Sequence, residues 1–347
     1  MNKLTKVGFS ALCGSLAAIS TANAGDLTVT GGVDMTWISL HDQVTGNPLG
    51  IGSNLTFKGS GELDNGWTFD LTVANANANA FSAAKVDIGM GGLGNIMVNQ
   101  GDGNGLGSYD DKMPTAWEES WGNGLSTGVK LVAGVGSSNN IQYTSPTILG
   151  TTIVLAYAPE MGAADTADKA SSGAASNTVG KGYDGIININ PSLGTELLSG
   201  LNIYAGGHIT EKTQNNGTLN NDKGEVVGGI TYDIGPVSLG AGWGGFVTGY
   251  EAHASYNDYY KNRMYGVSFN INDDLSVSHS FYKTRKEGFR SSAWLRENLR
   301  TVEVETYQIA YTMGGASIRL ATTEGNNLNF SAGNDKDATV LSVGLAF

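Results

Sequence analysis

Leu341-Ser342-Val343-Gly344-Leu345-Ala346-Phe347, the last stretch of the chain, alternates large apolar with small or polar side chains without a break. A period of two puts successive side chains on opposite faces of a strand, whereas a helix would space its apolar residues three and four apart. The same alternation recurs back toward the start. Leu27, Val29, Val33, Met35 and Trp37 are interleaved with Thr28, Thr30, Gly32, Asp34 and Thr36. Phe69, Leu71 and Val73 alternate with Thr68, Asp70 and Thr72, and Leu239, Ala241 and Trp243 with Ser238, Gly240 and Gly242. Phe269 and Ile271 flank Asn270 in the same way. The whole chain from about residue 26 onward therefore reads as strands with one apolar face.

The connections come in two lengths. Asp64-Asn65-Gly66, Gly91 to Gly94, Ile234-Gly235-Pro236, Asn272-Asp273-Asp274 and Met313-Gly314-Gly315 supply tight turns. Pro159 to Lys181 and Glu211 to Gly224 are long and polar. Short turns on one edge and long loops on the other describe a membrane barrel, and the punctuation leaves room for about sixteen tilted strands of ~10 residues. A soluble sandwich or solenoid also alternates. Against it, the face opposite the apolar one is rich in Thr, Ser, Asn and Gly and poor in Lys and Glu, as suits a water-filled lumen better than an outer surface. The predicted fold class is all-β, an antiparallel transmembrane β-barrel.

Composition narrows the function. The 347 residues carry 20 basic and 32 acidic side chains, a formal charge of -12, which excludes nucleic acid as a partner. A single cysteine, Cys13, excludes a disulfide framework and multi-cysteine metal centres. Lys3 and Lys6, the uncharged stretch Val7 to Ser20 and Ala22-Asn23-Ala24 read as a signal peptide over 1–24, cut after Ala24, with the barrel domain over 25–347. The four histidines, His41, His208, His253 and His279, have no metal-ligand spacing, and no G-x-S-x-G elbow is present. No enzyme and no metal site is expected. A linear calcium loop from Asp102 fails, because Leu106 and Met113 stand where oxygen ligands belong.

Two segments add a resemblance. Phe347 closes the last strand as the terminal aromatic does in outer-membrane barrels. Asn140-Ile141-Gln142-Tyr143-Thr144-Ser145-Pro146, then Gly150 and Thr151 to Tyr157, is similar to a stretch of the Gram-negative general porins. Gly94 to Gly101 resembles the strand before that family's pore-narrowing loop, with Asn99-Gln100 where Gly-Arg is more usual. By overall look the chain is nearest the alphaproteobacterial branch. The resemblance implies a 16-stranded homotrimer in the bacterial outer membrane, in contact with membrane lipid and lipopolysaccharide, passing small hydrophilic solutes and ions. It also implies a third external loop, 102–139, folded into the lumen.

That loop carries Asp102, Asp110, Asp111, Glu118 and Glu119 against Lys112 and Lys130, with a helix-compatible run from Thr115 to Ser120. Carboxylates in a narrow aperture favour cations, so a weak cation preference is expected. Strand parity puts Lys58, Lys85 and Arg319, with Asp34, Asp70 and Asp87, on the lumen wall, and His208 beside them. The resemblance requires no cofactor, though it allows a calcium ion between loop and wall carboxylates. Arg285, Lys286, Arg290, Arg296 and Arg300 are read as an external loop, His279 as a subunit contact. Trp37, Trp67, Tyr143, Tyr157, Tyr232, Tyr265, Tyr307 and Tyr311 are candidates for the interfacial girdles. The alternative function is a non-conducting structural or adhesive barrel.

Overall fold

In a computed structural model, residues 23–41, 45–77, 83–119, 122, 124–162, 180–191, 196–211, 222–249, 257–290 and 295–346 are described. The first half of the chain forms β1 (Asn23–Leu40), β2 (Leu49–Glu62), β3 (Thr68–Ala76), β4 (Ala83–Gly89), β5 (Asn95–Gln100), β6 (Asn140–Thr144), β7 (Thr151–Ala158) and β8 (Gly182–Ile189). The second half forms β9 (Leu201–Thr210), β10 (Lys223–Ile234), β11 (Val237–Val247), β12 (Asn257–Asn270), β13 (Leu275–Arg290), β14 (Leu295–Met313), β15 (Ala316–Asn326) and β16 (Lys336–Ala346). Each strand pairs antiparallel with its neighbours in the chain, and β1 pairs with β16, closing a sixteen-stranded barrel. The seam runs from Gly32 opposite Ala346 to Leu40 opposite Ala338, so Leu27 belongs to the β1–β2 ladder alone. Closure leaves no sheet edge and satisfies the ladder amides internally, which hydrocarbon requires.

Alternation decides which way each side chain faces. Val29, Trp37, Ile51, Ile187, Ile230, Trp243, Tyr265, Tyr307 and Ile318 are exposed on the outside. Asp184, His208, Glu225, Ser280, Thr284, Thr306, Thr323 and Ser342 point inward and are buried. What buries them is the segment between β5 and β6: Leu106 and Val132 pack with Ile186, Tyr204 and Val227, and Leu125 with Val302, Val304 and Ala338. Gly150, from the porin-like motif, has φ +75°, and a Cβ there would sit 2.0 Å from the Asn190 carbonyl oxygen.

Two expectations change. The cation-rich stretch expected as a loop is strand on both sides: β13 runs to Arg290 and β14 starts at Leu295, pairing Arg285 with Thr301, Lys286 with Arg300 and Phe289 with Arg296. Strand pairing extends there beyond what a bilayer needs. Residues 116–118 form a bend rather than a helix, because their backbone amides are taken by wall side chains. Within the segment, Gly105–Tyr109 forms a short 3-10 turn. His279 Nε2 lies 2.6 Å from Glu305 Oε1 on the same outward face, so the expected subunit contact would cover a polar pair rather than a lone imidazole. Residues 1–22, within the expected signal peptide 1–24, and Ser120, Trp121, His253 and Phe347 fall outside the described residues.

Candidate functional site: the segment between β5 and β6

The segment 101–139 is held by inward side chains of many strands. Asp184 on β8 accepts from the backbone N–H of Leu106 at 2.6 Å and of Val135 at 3.1 Å, so one carboxylate ties the two ends of the segment together. Glu225 on β10 accepts from Ala133 N–H at 2.9 Å and Gly134 N–H at 2.6 Å. His208 on β9 orients Asp184, its Nδ1 lying 2.5 Å from Oδ1, while its Nε2 meets Thr210 Oγ1 at 2.6 Å. A carboxylate only accepts, so the Nδ1 proton is the one shared. Further along, Ser278 Oγ accepts from Ala116 N–H at 2.8 Å and Gln308 Oε1 from Trp117 N–H at 2.9 Å. Tyr282 Oη–H donates to the Asp111 carbonyl, and Asn329 N–H to the Thr127 carbonyl. A Cβ on Gly105 would lie 2.1 Å from Asp184 Oδ2, so the close approach needs glycine.

Asp184 and Glu225 are functional residues that the sequence reading did not single out. The available signal was an acid on the inward parity of a strand, combined with the Gly-rich stretches 101–107 and 134–136 that let backbone amides reach it.

The expected wall charges are brought together in pairs. Lys58 Nζ lies 3.5 Å from Asp70 Oδ1, Lys85 Nζ 2.6 Å from Asp102 Oδ2, and Arg319 Nη2 3.0 Å from Asp34 Oδ1. Asp102 is thereby tied to the wall, at the root of the segment, rather than presented at its tip. Asp87 sits opposite Asp70 in the β3–β4 ladder. Each expected wall cation is thus offset by a carboxylate.

The remaining acids divide into two groups. Asp110, Asp111 and Glu119 lie toward Tyr204 and Tyr282. Burial, then Asp111 beside it, pushes the Asp110 carboxyl up to about 9, and burial followed by Asp111 raises Glu119. Lys112 there is pushed down by burial, its Nζ 4.0 Å above the Tyr109 ring. Glu118 lies on the other side of the segment, next to Asp34 and Arg319. Burial raises its carboxyl and Asp34 adds to the rise, while Arg319 opposes it. Arg319 also stacks 5.0 Å over the Trp117 ring.

Two cavities share Asp34 and Glu118 in their linings. One, of about 730 Å³, extends to Gly314 and Ala346 on the short-turn edge. The other, of about 310 Å³, extends to Asn47 and Pro48 in the β1–β2 connection. The donor set does not suit the calcium ion that the resemblance allows: no three His, Cys, Asp or Glu that could hold a metal ion converge among the described residues.

Comparison with known proteins agrees with the barrel fold. No curated protein sequence matches the chain. Its fold is similar to an anion-selective porin from Comamonas acidovorans (TM-score 0.64, 15% identity, 93% of this chain and 99% of that one). It is likewise similar to Salmonella typhi OmpF in complex with daunomycin (TM-score 0.64, 14% identity, 93% and 98%). Vibrio cholerae OmpT in a trimer form also shares it (TM-score 0.63, 11% identity, 94% and 100%). The family model of the Gram-negative porins matches residues 9–347, and with a closed sixteen-stranded barrel beneath that match, the chain belongs to this outer-membrane family.

Proposed function

We propose that the protein is a passive diffusion channel for small hydrophilic solutes and ions, that segment 101–139 narrows it, and that it weakly prefers cations. The observation that carries the reading is the shared lining of the two cavities, Asp34 and Glu118 with Arg319 beside them. Solutes pass between the segment and β1, where two carboxylates face one guanidinium. Arg319 offsets Asp34, which leaves Glu118 to set the sign. A unit charge ~5 Å from a permeating ion in water is worth ~0.8 kcal/mol, about fourfold in relative permeability before salt screening. The fold does not decide this sign, since a barrel of the same architecture is anion-selective. Transport involves no reaction and no energy coupling. A homotrimer embedded in outer-membrane lipid and lipopolysaccharide is the assembly we infer, after the trimer form of the Vibrio protein.

The test is reconstitution into a planar bilayer under a salt gradient. Stepwise conductance with a cation-signed reversal potential supports the reading. An anion-signed reversal overturns the role of Glu118, and a folded barrel without conductance favours the structural or adhesive alternative.

The pH dependence follows from the carboxyls. A carboxyl with a raised pKa is neutral below it and charged above it. Cation preference should therefore fall on acidification at a pH above the ordinary carboxylate range, as Glu118 takes up its proton. Reversal potentials from pH 5 to 8 check this: Glu118→Gln should erase the step, and Asp110→Asn, on the other side of the segment, should leave it in place.

A further inference from the structure

One inward row of the wall changes character in its middle. Register pairs Val227 with Gly244, Gly244 with Asn262, Asn262 with Thr284 and Thr284 with Val302, so these five residues cross β10 to β14 side by side. The two ends are apolar and covered by the segment: Val132 joins the cluster around Val227, and Val129 packs against the cluster around Val302. The centre is polar. Asn262 is 3% exposed and Thr284 is fully buried, yet neither atom of the Asn262 amide nor the Thr284 hydroxyl has a hydrogen-bond partner among the described residues. Side chains directly opposed on an antiparallel pair start from Cβ atoms ~4.5–5.5 Å apart. These two are neighbours that do not bond each other. The stretch 129–132 that crosses them sends Leu131 onto Met113, Met264 and Tyr282, one inward row nearer the short turns. Gly244 adds no side chain beside Asn262, and the side-chain atoms nearest to its missing Cβ are 3.6 and 3.7 Å away, on Val227 and Val132.

A buried polar group without a partner is costly, and nearly all such groups in folded proteins are paired with protein or with ordered water. Three such atoms on two adjacent residues mark one site. An amide that donates and accepts, beside a hydroxyl that does either, offers the partners that a buried water uses, about three hydrogen bonds for each molecule. The row carries no charged side chain, so a neutral ligand suits it better than an ion. We propose that ordered water occupies the gap between Asn262, Thr284 and residues 129–132, and bridges the wall to the segment there. Elsewhere Asp184, Glu225, Ser278 and Gln308 hold the segment by direct bonds. A bridging water is enthalpically nearly as good as such a bond and exchanges partners more readily. At this place the segment can therefore shift along the wall without stranding a buried polar group. The inference concerns how the segment is seated and is independent of whether the barrel conducts.

The direct test is a crystal structure of the full-length barrel, with a second set of crystals grown in bromide. The expected result is ordered density within hydrogen-bonding distance of both Asn262 and Thr284, without an anomalous signal in bromide. A gap without density overturns the proposal. So does an anomalous bromide peak, which would make this an anion site below Lys286, the next inward residue of β13. The variants Thr284→Val and Asn262→Leu with Thr284→Val give a second readout, the temperature at which heat-modifiable migration shows the barrel unfolding. If water bridges the pair, Thr284→Val strands a hydrogen bond and should lower that temperature by ~2–4 °C. The double variant removes the polar set and expels the water, so it should recover part of the loss. A Thr284→Val barrel as stable as the wild type, or more stable, shows that the groups are dry and overturns the proposal. Should the double variant fail to fold, the wild-type crystals and Thr284→Val still decide.

Discussion

Alanine at both Asp184 and Glu225 is expected to turn a steady pore into a fluctuating one. The two carboxylates hold four backbone N–H groups of the segment, Leu106, Ala133, Gly134 and Val135, and three of these bonds lie in buried surroundings. Hydrogen bonds to a charged acceptor contribute roughly 1.5–3 kcal/mol each, and removing one member of a buried charged pair costs about 3–5 kcal/mol. The double variant also strands His208, whose side chain is fully buried beside Asp184. The barrel ladders do not depend on these groups, so the sheet should still close. Single-channel recordings should show frequent partial closures and a spread of conductance levels, and limited proteolysis should cut within 101–139 where the wild type resists. A quiet trace with an uncleaved segment would show that packing of Leu106 and Val132 holds the segment without the carboxylates.

The second large effect is a change of sign. Glu118→Lys converts two acids facing one cation into one acid facing two. At about fourfold per unit charge, a swing of two charges should move the permeability ratio about sixteenfold and reverse the polarity of the reversal potential at low salt. Asp110→Asn is the control: its carboxyl already holds a proton at neutral pH, so this variant should leave the ratio at pH 7 unchanged. If Asp110→Asn shifts selectivity and Glu118→Lys does not, the solute path runs on the Tyr204 and Tyr282 side of the segment.

The barrel was readable because period-two alternation is a local property, written in every strand and repeated sixteen times. Its closure could be inferred because lipid tolerates no free sheet edge. The inward segment was located by the motif from Asn140 to Gly150 and by its length. Its internal arrangement was not readable. Asp102, Asp110, Asp111, Glu118 and Glu119 look equivalent in the sequence, yet Asp102 is tied to Lys85, Asp110 is buried as a neutral acid, and Glu118 lines the cavities. Which acid meets solvent depends on contacts with Ser278 and Gln308, far away in the chain. The cations at 283–300 were misread because strands that rise past the membrane lose the apolar alternation that marks them within it. Their charges then look like those of a loop.

The two-ended grip of Asp184 also has a bearing on the order of assembly. The partners of that carboxylate are 49 and 78 positions away, and those of Glu225 about 91 and 92, whereas the Asp34–Ser342 contact at the seam spans 308. Loop-closure entropy favours nearer contacts first. A partial sheet of β5 to β10 can therefore seat the segment against its concave side while the first and last strands are still apart. If the segment narrows the channel as we propose, that narrowing would be set before there is a channel, and the seam would close around an obstruction already in place.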